Sequence, residues 1–241
     1  MTEPVVEVYA DLSAVATTAA ARLLARLAEA QAGHGSASVV LTGGRSGAAV
    51  LAAVRDSPDR DRVDWHRVNV WWGDERFLPA GHPDRNDTQA RAALLDAIPL
   101  NPTRVHPMPA SDGPDGDDPE AAAARYADAL AGVTSFDLLL LGVGEDGHVA
   151  SLFPGHPDRS GGRWVAAVRD SPKPPPVRLT LTRDAINTAG EVWLLATGQE
   201  KAHAVGQALA GIDLPAAGVR GQDRTVWLLD SAAATELPTR P

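Results

Sequence analysis

The chain has 241 residues, 44% of them hydrophobic, a net charge of −9, 22 glycines, 19 prolines and no cysteine. That length can bury a substantial core in one large α/β domain or two small ones, and the missing thiols exclude disulfides and cysteine-based metal or redox chemistry. The acidic balance without a Lys/Arg cluster argues against nucleic acid or an anionic membrane as partner, and no apolar run reaches membrane-spanning length.

Val5–Tyr9 reads as an edge strand. Asp11 or Ser13 can cap a helix over residues 12–31, stopped by Gly33 and Gly35. Residues 38–41 form a strand that runs into Thr42-Gly43-Gly44-Arg45-Ser46-Gly47 and then a helix to about Arg55. A strand, a glycine turn and a helix start can cradle an anion. The same pattern also serves a plain β–α turn, and the Walker spacing is absent. Residues 56–67 are charged and loop-like. Val68–Trp72 reads as a second central strand, followed by Gly73-Asp74-Glu75-Arg76. Those three charges could simply mark the return to solvent, and Glu75 fits that best. Arg76 offers a fork of donors suited to phosphate or a sugar oxygen. A helix from Asn86 or Asp87 to about Ala97, an exposed Pro/Asp/Gly-rich connection and a helix over 119–130 come next.

Residues 136–157, FDLLLLGVGEDGHVASLFPGHP, organise the rest. An apolar run of strand length suits the middle of a parallel sheet covered by helices on each side. It ends in Gly142, Gly144 and Gly147, which let backbone turn sharply beside a ligand. These match G-x-G-x-x-G only weakly: Pro154 and Pro157 would cut the helix that fingerprint opens. Asp146 and His148 follow at the carboxyl end of the strand, where open α/β sheets bind ligands. A histidine there can take and return a proton near neutrality. A carboxylate can fix its tautomer, and spacing leaves Asp146 and Asp74 both open for that role. His156 sits in a surface turn and is the weaker candidate. Ser151 is not in a G-x-S-x-G elbow, and no metal-ligand spacing is present. Attack by water, without metal, cofactor or covalent intermediate, is the favoured chemistry.

Residues 164–168 read as a strand, and 171–176, with consecutive prolines, as a stiff polyproline II arm that could hold Lys173 over a pocket. Arg178 opens a short alternating segment, 177–181. A helix over 183–189 and a strand over 191–197 follow. Gly198 then leads into a helix with Lys201 in its first turn, where a cation opposes the dipole unless a phosphate sits there. Thr225 to Leu229 is the last strand, Asp230 caps a terminal helix, and residues 238–241 fray. Strands alternating with helices over residues 1–241 predict one α/β domain of three layers, a predominantly parallel sheet with helices on both faces.

The block G-V-G-E-D-G-H-V-A-S-L-F-P-G-H, with Thr42-Gly43-Gly44, Trp72-Gly73-Asp74-Glu75-Arg76, Ser171-Pro172-Lys173-Pro174-Pro175-Pro176 and Ala196-Thr197-Gly198-Gln199-Glu200-Lys201-Ala202, resembles the 6-phosphogluconolactonases, in family order and over residues 38–230. That resemblance implies the modified Rossmann fold shared with glucosamine-6-phosphate deaminases, ribose-5-phosphate isomerases and CoA transferases. It implies hydrolysis of 6-phospho-D-glucono-1,5-lactone to 6-phosphogluconate in the pentose phosphate pathway. His148 would be the base, with Asp146 or Asp74 beside it. A phosphate would dock among Gly43, Gly44, Arg45, Ser46, Arg76, Lys173, Arg178 and Lys201, with Asn86 as a further contact. A deaminase is the nearest alternative, but that family carries a glutamate where this chain has Phe153. A sugar-phosphate effector domain is the other, and no helix-turn-helix segment precedes Val5. A cytoplasmic monomer without cofactor is expected.

Overall fold

In the computed structural model, which describes residues 3–157 and 160–238, two sheets divide the work of core and rim. Numbered in chain order, β1 (Val5–Tyr9), β2 (Ala37–Leu41), β3 (Val68–Trp72), β5 (Leu138–Gly142), β8 (Glu191–Ala196) and β9 (Arg224–Asp230) form one parallel sheet in the order β1-β9-β8-β5-β2-β3. β4 (Asp74–Arg76), β7 (Arg178–Leu181) and β6 (Val165–Val168) form a small antiparallel sheet in that order. The helices are α1 (Leu12–His34), α2 (Gly44–Asp56), α3 (Asn86–Ala93), α4 (Pro119–Ala129), α5 (Arg183–Ile186), α6 (Ala202–Leu209) and α7 (Pro215–Gly218). The mostly parallel, three-layer α/β architecture is the one expected.

Leu138 to Leu141 occupy the interior of the parallel sheet and are no more than 1% exposed. Both faces of β5 are covered, which is why the run shows no alternation. Each such leucine contributes about 1.5–3 kcal/mol by leaving water. α1 starts at Asp11, whose Oδ1 accepts from Ala14 N–H at 2.9 Å, and ends at Gly35 with φ +86°. β1 is an edge strand, as expected. β3 is the other edge and not central, flanked beyond β2 only by a single bridge from Val70 to Val105.

Several local expectations need correction. Asp74–Arg76 is a strand, paired residue by residue with Thr180, Leu179 and Arg178. Glu75 is fully buried and does not return to solvent. Its carboxylate accepts from the N–H groups of Arg76, Asn86 and Asp87, and so caps α3. The arm at 172–176 is a succession of bends. α5 has only four residues. Among the described residues no helix follows β9: Asp230 caps a run of turns through Ala233 N–H. Of the fraying expected at 238–241, residues 239–241 lie outside the described residues. No helix among the described residues is long and apolar enough to cross a membrane.

β2 connects outward to β3, and the chain then returns to the opposite side of β2 to place β5. That reversal opens a crevice at the carboxyl ends of β2 and β5, the position where sheets of this kind hold ligands.

Candidate active site

The crevice is a cavity of about 380 Å³ lined from four strand ends. β2 supplies Thr42 to Ser46, β4 supplies Asp74 and Arg76, β5 and its loop supply Gly142, Val143, Gly144 and His148, and β8 leads to Thr197, Glu200 and Lys201. Lys173 and Arg178 also line it.

The loop after β5 is a small closed turn. Gly144 N–H donates to His148 O at 2.8 Å, and Gly147, with φ +80°, donates to Gly144 O at 3.0 Å. His148 Nδ1–H donates to Asp146 Oδ1 at 2.5 Å. A Cβ on residue 144 would lie 1.9 Å from that same Nδ1, so only glycine leaves room for the pair. Asp146 itself stands behind the ring and does not line the cavity. Burial alone would raise its carboxyl, but the hydrogen bond and charge of His148 outweigh burial and hold it well below the usual carboxylate range. With Nδ1 committed to Asp146, Nε2 is the nitrogen left for a water. Phe153, 5% exposed, packs against the imidazole with ring centroids 4.8 Å apart.

Asp74 serves other partners. Its Oδ1 accepts from Asn86 Nδ2 at 3.2 Å and its Oδ2 from Ser151 Oγ at 2.8 Å. Asn86 in turn fills the space a side chain at Gly43 would need, since a Cβ there would meet Asn86 Oδ1 at 1.8 Å. Ser151 is therefore a buried support for Asp74. His156 bonds to the carbonyls of Pro154 and Asp170, away from the cavity.

Arg45, Arg76, Lys173, Arg178 and Lys201 line the same cavity. Arg45 Nη2 donates to Thr197 O at 2.9 Å and pairs with Glu200 at 3.2 Å, while Ser46 Oγ meets Thr197 Oγ1 at 3.0 Å. These contacts tie the glycine turn to the end of β8. Arg76 Nη1 donates to Asp84 O at 2.5 Å. Lys201 precedes α6 at the end of a 3-10 turn, and its Nζ lies 3.8 Å from Glu145 Oε1. Burial lowers the affinity of its ammonium for a proton, Glu145 raises it, and the charge of Lys173 lowers it again. Two cations that repel one another across a half-buried space form a site suited to an anion. Among the described residues, no group of three or more His, Cys, Asp or Glu is placed to hold a metal ion.

The glucosamine-6-phosphate isomerase/6-phosphogluconolactonase family profile matches residues 10–227. The chain belongs to that family. Among its relatives, the 6-phosphogluconolactonase of Streptomyces coelicolor is 59% identical, over 98% of this chain and 95% of that one. The 6-phosphogluconolactonase of Mycobacterium tuberculosis is 44% identical, over 97% and 98%. The solved 6-phosphogluconolactonase of Trypanosoma brucei has 28% identity and a TM-score of 0.84, covering 99% of this chain and 100% of its own. A solved monomeric glucosamine-6-phosphate deaminase, 22% identical with a TM-score of 0.81, shares the fold.

Of the candidate catalytic and phosphate-binding residues, all line this cavity except Asp146, which reaches it through His148. Thr42, Thr197, Glu145 and Glu200 were not singled out from the sequence. Thr42 Oγ1 accepts from Gly142 N–H at 3.1 Å and so joins two of the strand tips. The available signal was positional: Thr42 and Thr197 are the first polar residues after apolar strands.

Proposed function

We propose that the cavity hydrolyses 6-phospho-D-glucono-1,5-lactone to 6-phospho-D-gluconate by attack of a water that His148 deprotonates. Lactone hydrolysis follows from family membership and from relatives of that name at 59% and 44% identity over nearly the whole chain. The roles of individual residues are inferred from the site, and the observation that carries them is the His148–Asp146 pair facing a cavity ringed by cations.

Arg45, Arg76, Lys173 and Lys201 draw in the phosphate, with the turn of Gly43, Gly44 and Ser46 beneath it and Arg178 adding charge at the side. This remote binding energy brings the lactone carbonyl to the imidazole. Nε2 of His148 takes a proton from water as the oxygen attacks C1. Asp146 stabilises the imidazolium that results. Backbone N–H groups of the glycine turns hold the oxyanion. The tetrahedral intermediate expels the ring oxygen, which receives the proton from Nε2. The product is the open-chain acid, and the imidazole is neutral again. Asp74 maintains the loop through Ser151 and the glycine turn through Asn86. No cofactor enters this scheme. Residues 1–241 act as one catalytic unit, a cytoplasmic monomer.

The test is purified protein with freshly made lactone, with and without the 6-phosphate. Faster loss of the phosphorylated lactone than its spontaneous rate is expected, with strong preference for that form. Release of ammonia from glucosamine 6-phosphate instead would assign the cavity to the deaminase branch.

A further inference from the structure

Lys173 reaches the cavity on a segment that is held from the inside. Ser171 Oγ donates to Lys173 O at 2.8 Å and accepts from Lys173 N–H at 3.2 Å, while Ser171 N–H donates to Pro176 O at 3.0 Å. Residues 174–176 are all proline and have no N–H to anchor them, so carbonyls are the only backbone handles. Arg178, 5% exposed, takes hold of two of them and of the Lys173 carbonyl. Its Nε donates to Pro175 O at 2.7 Å, and its Nη2 donates to Lys173 O at 3.1 Å and Pro174 O at 3.0 Å. Arg178 in turn sits on β7 opposite Arg76 of β4, so the segment is referenced to the sheet that carries a second cavity cation. Lys173 has no ion-pair partner among the described residues, yet its charge is felt at Lys201.

We infer that Ser171 and Arg178 are positioning residues: they fix the backbone of residues 173–175 so that the Lys173 ammonium is presented to the substrate phosphate. This rests on the reading of Lys173 as a phosphate ligand. It gives Arg178 a different main task from direct phosphate binding, because two of its three nitrogens already serve carbonyls. A planar guanidinium with fixed donors suits such a convergent set, and a lysine ammonium would not span it. A pre-held backbone leaves less freedom to lose when the anion arrives.

The experiment is a double-mutant cycle read on two substrates, the 6-phosphorylated lactone and glucono-1,5-lactone without phosphate. Ser171 does not line the cavity. Ser171→Ala removes both hydroxyl hydrogen bonds to Lys173 and should raise KM for the phosphorylated lactone about 3–10-fold or more, with unchanged turnover of the unphosphorylated one. Ser171→Thr, which keeps the hydroxyl, should restore KM. In a Lys173→Ala background, Ser171→Ala should add nothing, since no ammonium remains to be placed. Ser171→Cys, whose thiol is only a weak donor and acceptor, run through the same cycle gives a second reading should Ser171→Ala fold poorly. Multiplying effects in the double variants would overturn the inference. So would unaltered KM in folded Ser171→Ala when Lys173→Ala alone raises KM; the phosphate reading would then survive. If Lys173→Ala leaves KM for both lactones unchanged, that reading fails and takes this inference with it.

Discussion

At the scale of single residues, the proposed mechanism rests turnover on the hydrogen-bonded pair of His148 and Asp146. His148→Ala should lower kcat by about 10²–10⁴-fold, the usual range for a lost acid–base group, with the thermal melt of the protein preserved. Asp146→Asn should lower kcat by about tenfold or more while KM moves little, because the amide no longer fixes the tautomer or balances the imidazolium. A steady-state comparison of the two variants checks both. Equal kcat in wild type and His148→Ala would remove the imidazole from the mechanism. Much of this pair was legible in advance, because glycines around a histidine at a strand end are a local signal. The choice between Asp146 and Asp74 was not. It depends on the closed turn from Gly144 to His148, where the hydrogen bond at 2.5 Å turns the ring toward its neighbour in sequence. Asp74 is drawn off by Asn86 and Ser151, and Ser151 lies 77 positions away along the chain.

At the scale of elements, α3 is held by a buried carboxyl. Glu75 accepts three backbone N–H groups and lies 3.6 Å from Arg85, itself 2% exposed. Burial pushes the Glu75 carboxyl up, and Arg85 and the three N–H groups pull it back, leaving it at about 7 against an ordinary value of 4.5. The folded protein therefore holds a proton that the unfolded chain has lost between those two values. Stability from this group falls as pH rises through that window and is lowest above it. Thermal melts at intervals from pH 5 to pH 8 should show this decline, and Glu75→Gln should flatten it. An identical slope in that variant would assign the decline to other groups. At pH 8, where the Glu75 carboxyl is ionised, Glu75→Ala should cost about 3–5 kcal/mol, because Arg85 is left buried without its counter-charge. Nothing in the run D-E-R announces this role. Its partners are the start of a helix eleven residues on and an arginine whose other contacts are the carbonyls of Leu78, Pro109 and Met108. The long elements were readable because helical spacing and the leucine run of β5 are strong patterns. The three-residue β4 and the turns after β9 were not, since their pairing and capping are set by distant residues.

At the scale of the whole molecule, an acidic protein carries a cationic mouth. The net charge is −9, yet Arg45, Arg76, Lys173, Arg178 and Lys201 line one cavity. At short range these cations dominate, and added salt weakens them over a screening length of about 10 Å at 0.1 M. KM for the phosphorylated lactone should rise steadily with ionic strength, while turnover of the unphosphorylated lactone should respond little. Flat KM values across a salt series would place the phosphate outside the ring of cations. The fold as a whole was the most readable level, because alternation of strand and helix constrains architecture more tightly than it constrains any one contact.

The cavity draws its walls from residues that begin at Thr42 and end at Lys201, with β5 slotted between two strands from opposite sides of it in the chain. A growing polypeptide thus owns no partial version of the reaction. Until β8 has docked beside β5 and delivered Thr197 and Lys201, that part of the wall is missing, so competence arrives late and all at once.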